Sequence, residues 1–411
     1  MPLLSLSMIV RNEAARLEAC LESVRGFVDE MVVVDTGSSD DTAAIAAACG
    51  ATVHALSWPG DFAPARNSAL DLVRGDWVLV LDADERLRPE ARQPLRRLMD
   101  EPQALLINLL RIELGASQSP YSSVSRLFRR HPGIHWSGAY HAMVDDSVAA
   151  LRRDDPQWRV LACPEPALLH DGYRPELLVD GRKARQLRQA MEAELQSRPD
   201  DPYACAKLGG LELSEGRSDR AIRLLNRGLA ACGQEAIAER YELLLHLGLA
   251  EAPSDPQRAR HRYTAALDLP LDPRISLGAR LNLAILELRL GNREAALSHA
   301  RLVTESAPEF ALGWTQLGLI QRQRGALGDA IAAYRQAIAL APEHAESHQN
   351  LAAASLLAGD ISSARNGFRR AIALLAEQGR QPEAAALAER AGSMVQLELD
   401  EETARKTLPH P

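Results

Sequence analysis

The chain has 411 residues, enough for two or three domains that each bury a core of their own. With 46% hydrophobic and 25% charged residues and a net charge of -8, it has the composition of a globular protein, and we do not expect it to bind nucleic acid, which needs a basic surface. No apolar run reaches the roughly 18 residues of a membrane span, and the five cysteines form no CxxC pair. We therefore expect a cytoplasmic protein with reduced thiols, without a zinc knuckle or a disulfide framework.

The first 175 residues alternate between strand and helix patterns. Apolar runs predict strands over 4–10, 30–34, 52–56 and 77–81, and amphipathic runs predict helices over 14–24, 41–49 and 64–73. Near-continuous apolar strands separated by helices predict a mainly parallel sheet that is covered on both faces. Further strands over 105–112 and 124–129, with long loops around 115–122 and 131–146, predict a mixed second part of this domain.

From about residue 176 the strand patterns stop, and a helical repeat of about 34 residues takes over. Its clearest copy contains Trp314, Leu317, Gly318, Ala330, Tyr334, Ala337 and Pro342. Small residues at fixed positions let helices approach closely, and large residues fill the gaps between them. The spacing resembles the tetratricopeptide repeat and predicts about five helix pairs.

Together the two patterns predict four segments. These are an α/β domain over 1–175, a helical linker over 176–199, tetratricopeptide-type repeats over 200–378, and a capping helix with a tail over 379–411. The expected fold class is therefore an α/β domain with a mainly parallel sheet, followed by an all-α solenoid.

Two carboxylates stand together just after the strand predicted over 77–81, in the run Leu81-Asp82-Ala83-Asp84-Glu85. In an extended segment Asp82 and Asp84 point to the same side. Ligands bind at the carboxyl ends of strands in open α/β sheets, and paired oxygens there suit Mg²⁺ or Mn²⁺, which bridge phosphate groups. The alternative interpretation is a solvated acidic turn.

Other polar residues fall at the same predicted edge of the sheet. Asn12 and Glu13 follow the first strand, and Asp35 ends the second, where its carboxylate is well placed to accept hydrogen bonds from a base or a ribose. Arg66 lies on the helix before the Asp-x-Asp strand, and a guanidinium there can neutralise a diphosphate by a bidentate contact. Such clustering at one edge favours a binding site over a merely solvated surface.

Four runs in this order, SMIVRNE, DEMVVVDTGSSDDT, DFAPARNSAL and GDWVLVLDADERL, resemble the family 2 glycosyltransferases, which have the GT-A fold. With the repeats, the chain resembles those bacterial members that carry a C-terminal tetratricopeptide array, among them the peptide S-glycosyltransferases. The resemblance covers about residues 3–175 and continues through the repeats.

The resemblance implies a role for each of these positions. Asn12 and Glu13 would line the nucleotide pocket, and Asp35 would contact the uracil or the ribose. Arg66 would approach the diphosphate of a nucleotide-sugar donor, expected to be a UDP-sugar.

It also implies a metal site for Mn²⁺ or Mg²⁺. Asp82 would lie near the ribose or the metal, and Asp84 would be the main metal ligand. His170, in the run LLHDGY, matches a histidine that many relatives use as a later ligand, although an ordinary loop histidine is the alternative.

The catalytic base is the position at which the sequence departs from the family. Many relatives have a histidine-glutamate pair in a segment like GIHWSGAYHAMVDD, but here His141 is followed by Ala142. Asp145 or Asp146 is expected to replace the missing carboxylate, and His141 itself has a suitable ordinary pKa. Arg126 and Trp136 are candidates for the acceptor cleft, with packing as the other interpretation of Trp136.

The resulting hypothesis is an inverting transfer of a hexosyl or N-acetylhexosaminyl group to a peptide, protein or glycan acceptor. The repeats are expected to hold the acceptor or to mediate homodimerisation. The rival hypothesis is a scaffold or sugar-nucleotide-binding protein without catalysis, for which Ala142 is the argument. A haloacid-type phosphatase is disfavoured because Arg86 stands where that motif needs Thr or Val, and a dinucleotide oxidoreductase because Arg-Asn-Glu replaces GxGxxG.

Overall fold

The computed structural model describes residues 2–116, 120–138, 142–171 and 182–397. The chain divides into two compact units, Met1–Leu211 and Glu212–Pro411. The division falls inside a helix, so the limits predicted for the linker and the first repeat stay predictions. None of the helices in the described part of the chain combines the length and apolar character that a membrane crossing requires.

The first unit contains a sheet with helices between its strands. Its strands are β1 (Leu4–Val10), β2 (Glu30–Asp35), β3 (Thr52–Ala55), β4 (Trp77–Val80), β5 (Glu85–Leu87), β6 (Ala104–Glu113), β7 (Tyr121–Arg129) and β8 (Arg159–His170). Its helices are α1 (Leu17–Val24), α2 (Thr42–Ala48), α3 (Phe62–Leu70), α4 (Arg92–Met99), α5 (Asp145–Asp154) and α6 (Arg182–Ser197), and α7 (Pro202–Ser214) begins in it.

The eight strands form one mixed sheet in the order β3-β2-β1-β4-β7-β6-β8-β5. Strands β3, β2, β1 and β4 are parallel, as the sequence predicts. Strand β7 pairs antiparallel with both β4 and β6, whereas β8 runs parallel to β6. The carboxyl ends of β1, β2, β4, β6 and β8 therefore all lie at the same edge of the sheet.

Successive residues of a strand point to opposite faces of the sheet and pack into two different cores, as expected for a sheet covered on both faces. On one face, Trp77 and Leu79 pack with Leu21 of α1 and Leu95 of α4. On the other face, Val78 and Val80 pack with Ala63 of α3 and Val148 of α5. The sheet is thereby held rigidly between two helical layers, and its carboxyl edge is a firm platform for side chains.

The second part of the sheet shows where the sequence pattern was insufficient. Strand β8 carries Pro164 and Pro166 and has exposed residues among its buried ones, and β5 has only three residues, so neither appears as an apolar run. Strand β7 begins at Tyr121, inside the range expected to be a loop, and α5 begins at Asp145 at the end of the second predicted loop. Strand β7 depends on its pairing with β4 and β6 more than on local periodicity.

The second unit is helical throughout its described residues. Its helices after α7 are α8 (Ser218–Ala231), α9 (Ile237–Glu251), α10 (Pro256–Leu267), α11 (Leu277–Arg289), α12 (Arg293–Ser306), α13 (Ala311–Gln323), α14 (Leu327–Leu340), α15 (Ala345–Leu357), α16 (Ile361–Glu377) and α17 (Gln381–Met394). A Cβ atom at Gly318 of α13 would lie 2.7 Å from the ring of Tyr334 on α14. The small and large residues of the repeat thus meet across a helix pair, as the spacing predicts.

Candidate active site

The loop after β1 and the loop after β2 are joined by hydrogen bonds at the carboxyl edge. Asn12 has a positive φ of 55°, and its side-chain oxygen accepts the amide hydrogen of Ser39 at 2.8 Å. Asp35, which is 8% exposed, accepts the amide hydrogens of Gly37 and Ser38 at 2.8 and 2.7 Å through Oδ1. Asn12 and Asp35 are therefore fixed in place by short polar turns.

Glu13 extends this edge toward the Asp-x-Asp segment through Arg16. The Arg16 guanidinium lies 2.7 Å from Glu13 and 3.7 Å from Oδ2 of Asp84. Burial raises the pKa of Glu13, and Arg16 partly offsets this effect. The loop after β1 thus reaches the carboxylate group that follows β4.

Asp82 is held by two arginines. Arg66 of α3 donates to Oδ1 at 2.7 Å, and Arg126 of β7 donates to Oδ2 at 2.5 Å. Burial alone would raise the pKa of Asp82, but the Arg126 and Arg66 guanidiniums outweigh it and hold the pKa well below its usual range. Asp82 is consequently an ionised carboxylate whose orientation is set by two charge-assisted hydrogen bonds.

Arg66 is buried behind Asp82. Its guanidinium carbon lies 4.9 Å from the ring centroid of Trp136, and Nη1 is buried without a hydrogen-bond partner among the described residues. Asn67, the next residue on α3, bonds both the backbone N–H and the carbonyl of Trp136, at 2.8 and 3.1 Å. Trp136 is 4% exposed, so it packs against Arg66 and does not present a free face.

Asp84 meets His170 at the edge where β4 and β8 end. Nε2 of His170 lies 3.4 Å from Oδ2 of Asp84, and Nδ1 lies 2.5 Å from Oε2 of Glu113. Burial alone would lower the pKa of His170, but the hydrogen bonds to Asp84 and Glu113 raise it to about 9. Burial likewise acts to raise the pKa of Asp84, and His170 outweighs this effect and lowers it.

The side chains of Asp84 and His170 provide part of the ligand set that a small divalent cation needs. Among the residues that the structure describes, no group of three or more His, Cys, Asp or Glu side chains is arranged to hold a metal ion. Asp84 and His170 offer one oxygen and one nitrogen 3.4 Å apart, close to the about 3 Å that separates adjacent ligands with bonds of about 2.1 Å. Since Mg²⁺ commonly takes one or two protein ligands and completes its shell with phosphate oxygens and water, the two residues fit a metal bound together with a diphosphate.

The structure describes two of the three candidate bases. His141 lies outside the described residues. Asp145 begins α5, where Oδ1 accepts a hydrogen bond from Ser125 at 2.8 Å and Oδ2 is buried without a partner in the described part of the chain. Burial raises the pKa of Asp145, and the Ser125 bond offsets this only partly. Asp146 instead accepts from Ser137 at 3.0 Å and is exposed.

The structure also joins residues that the sequence analysis did not connect. Glu85 and Glu113 are 0% and 4% exposed, and Arg111 lies between them, 2.5 Å from Glu85 and 2.9 Å from Glu113. A usable signal was present, because Arg111 and Glu113 interrupt an otherwise apolar strand at its carboxyl end. Arg126, a candidate for the acceptor cleft, bonds Asp82.

Comparisons with known proteins identify the two kinds of domain in the chain. The model of the family described as Glycosyl transferase family 2 matches residues 5–156, and a TPR repeat model matches residues 318–359. A TPR repeat-containing protein of Synechococcus elongatus is 46% identical over 305 residues, which cover 74% of this chain and 75% of that protein.

Two relatives are named as glycosyltransferases. An uncharacterized glycosyltransferase of Rickettsia felis is 30% identical over 43% of this chain and 65% of its own length. The SPbeta prophage-derived glycosyltransferase SunS of Bacillus subtilis is 27% identical over 34% of each chain. With the family match and the fold, these findings show that the chain belongs to the family 2 glycosyltransferases and carries TPR repeats.

Proposed function

We propose that the protein is an inverting glycosyltransferase whose donor is a nucleoside diphosphate sugar, with UDP as the nucleotide. We further propose that Asp84 and His170 hold Mn²⁺ or Mg²⁺ together with the donor diphosphate. The observation that carries the proposal is the 3.4 Å approach of His170 Nε2 to Asp84 at the carboxyl edge of the sheet. A bound cation of this kind supplies positive charge to a leaving diphosphate.

The remaining edge residues are assigned to the nucleotide. Asp35 and Asn12 are fixed by their loop amides, as a base and ribose pocket requires. Asp82 is 37% exposed at its side chain, and each oxygen keeps a lone pair beyond its arginine contact, so it can accept from a ribose hydroxyl. Arg66 does not contact the diphosphate directly, because its guanidinium is hydrogen-bonded to Asp82. It acts on the diphosphate only through Asp82.

Asp145 is proposed as the base. Its ionised carboxylate takes the proton of the acceptor nucleophile as that atom bonds to the anomeric carbon. The bond between the anomeric carbon and the diphosphate oxygen breaks at the same time, and the nucleoside diphosphate leaves with the electron pair. Attack from the opposite face inverts the anomeric configuration.

The acceptor is proposed to be a peptide, protein segment or glycan, with a hexose or N-acetylhexosamine as the transferred sugar, and the reaction is placed in the cytoplasm. TPR repeats stack helix pairs into surfaces that suit an extended segment, which supports a peptide or protein acceptor bound by the second unit. The scaffold without catalysis is less favoured, because Asp82 and Asp84 are both present and each is held in place by charged partners.

The first test follows nucleoside diphosphate release from UDP-, GDP- and dTDP-sugars with Mn²⁺. We expect slow hydrolysis of one donor that a chelator abolishes and that Asp84→Asn reduces at least 100-fold. Asp154→Asn is the matched control, because Asp154 is exposed at the end of α5. A donor that binds normally but is never turned over, with any peptide acceptor offered, would favour the scaffold instead.

A further inference from the structure

We propose that Glu113 is a positioning residue that fixes the ring of His170 so that Nε2 faces Asp84. The inference rests on the proposed function, because it concerns the pair of residues assigned there to the metal. It adds a residue that touches neither the donor nor the cation and acts only through His170.

The sheet register places Glu113 beside His170. Glu113 is the direct partner of His170 in the parallel pairing of β6 with β8, and Glu85 is its partner in the antiparallel pairing of β5 with β8. The three residues therefore form one row across adjacent strands, and paired residues in a sheet project to the same face. The row is built by the backbone, so its spacing does not depend on flexible loops.

The two carboxylate oxygens of Glu113 have separate partners. Oε1 accepts from Arg111 Nε at 2.9 Å and from the hydroxyl of Ser122, whereas Oε2 lies 2.5 Å from Nδ1 of His170. Arg111 is itself anchored on the fully buried Glu85 at 2.5 Å. Glu113 is thus held from one side and presents a single oxygen to the imidazole.

This arrangement decides which ring nitrogen is available. Nδ1 faces the carboxylate of Glu113, so the proton that a bound cation would displace is the one on Nε2, the atom that faces Asp84. The lone pair of the neutral ring then lies on Nε2. Carboxylates that hold a ligating histidine in this manner orient the ring and raise its basicity. Without Glu113 the ring can rotate about its χ2 angle and lose this orientation, while Asp84 stays in place.

The test measures Mn²⁺ affinity by electron paramagnetic resonance with saturating UDP, in four proteins: wild type, Glu113→Gln, His170→Ala and the double variant. We expect Glu113→Gln to weaken Mn²⁺ binding about 10- to 100-fold. In the His170→Ala background the same change should alter affinity less than about twofold, because two residues that act through one contact are not additive. Glu30→Gln is the matched control, since Glu30 accepts from Ser5 and Arg74 at the opposite end of the sheet.

The outcomes separate this inference from the proposed function. If Glu113→Gln weakens Mn²⁺ binding equally in the wild type and in His170→Ala, Glu113 attracts the cation by its charge alone. That result would overturn the positioning role. Unchanged affinity in Glu113→Gln, with binding lost in Asp84→Asn, would overturn it and leave the metal site standing. A wild type that binds no Mn²⁺ with UDP, GDP or dTDP overturns both. If circular dichroism shows that Glu113→Gln is unfolded, Glu113→Asp, which keeps the charge and shortens the reach, takes its place with the same expectation.

Discussion

The Oδ1 atom of Asp145 accepts a hydrogen bond from the hydroxyl of Ser125. The Oδ2 atom is buried and has no hydrogen-bond partner among the described residues. A buried, poorly solvated carboxylate is unfavourable for folding when ionised, yet the same desolvation makes it a stronger base. Stability and catalysis should therefore respond to its removal in opposite directions.

We expect Asp145→Asn to lower kcat by about 10²- to 10⁴-fold, the usual effect of a general base, and to raise the thermal midpoint at pH 7. Burial raises the pKa of Asp145, so the folded state binds its proton more tightly than the unfolded state does. The contribution of this group to the free energy of unfolding thus falls as pH rises from the unfolded pKa through the folded one. The asparagine of the variant stays neutral at every pH. Its gain in free energy of unfolding over the wild type should therefore vanish below the pKa that Asp145 has in the unfolded chain.

Steady-state kinetics and thermal melts at several pH values test this expectation. Wild-type activity should rise with pH through the folded pKa of Asp145, and the variant should lose that dependence. Asp146→Asn is the comparison, because Asp146 is exposed and bonds Ser137. If Asp146→Asn removes activity while Asp145→Asn does not, the base is Asp146.

Residues of the site were predictable where they end an apolar strand. Asp35, Asp82, Asp84 and Asn12 lie within three residues of the ends of predicted strands, and the structure brings them to one edge. Glu85 and Glu113 come together through the pairing of β8 with β5 and with β6, and Arg126 reaches Asp82 through the pairing of β7 with β4. In each case the paired strands are about 40 residues or more apart in sequence. A single sequence contains no information on such pairing beyond an isolated polar residue in an apolar strand.

At the scale of elements, the strands with continuous valine and leucine runs were predicted within one residue of their observed ends. Strand β4, for example, was expected over 77–81 and spans Trp77–Val80. Helix α1 begins at Leu17 although its pattern begins at residue 14, because Arg16 and Leu17 donate to the Glu13 carbonyl in a preceding turn. The run of apolar residues therefore determines where a buried strand lies. The ends of helices and of the less apolar strands depend on turns and on pairing with distant parts of the chain.

The helix pairs of the second unit offer a test in which two effects oppose each other. Gly318→Ala should gain up to about 1 kcal/mol from helix propensity. The new Cβ would lie 2.7 Å from the fully buried ring of Tyr334, and overpacking of this kind costs about 1–3 kcal/mol. We therefore expect net destabilisation of about 1 kcal/mol in urea unfolding.

Gly328→Ala is the control, because a Cβ at Gly328 meets nothing within 4 Å. That variant should be neutral or more stable by up to about 1 kcal/mol, since it gains propensity without a clash. Equal stabilisation by the two substitutions would show that the Tyr334 ring moves freely, and that close approach is not the reason for glycine in α13.

At the scale of the whole molecule, each of the two units contains hydrophobic clusters among its described residues. The clusters around the sheet contain residues from Leu4 to Leu168, and one cluster of the helical repeats contains residues from Tyr241 to Leu286. Each unit thus has a buried apolar core of its own. This pattern agrees with the sequence-based expectation of two kinds of domain, although the limits of the linker stay a prediction.

We expect thermal unfolding of the full chain to show two transitions, one for each unit. Mn²⁺ with UDP at about 100 times the dissociation constant should stabilise only the first unit, by about 2.7 kcal/mol, because the ligands bind its folded form. Gly318→Ala should lower only the other transition. Differential scanning calorimetry with and without ligand separates the two effects, since about 2.7 kcal/mol corresponds to a shift of roughly 5–10 °C for a unit of this size. A single transition that both perturbations move by the same amount would mean that the two cores unfold as one cooperative body, and ligand binding at the sheet edge would then stabilise the repeats as well.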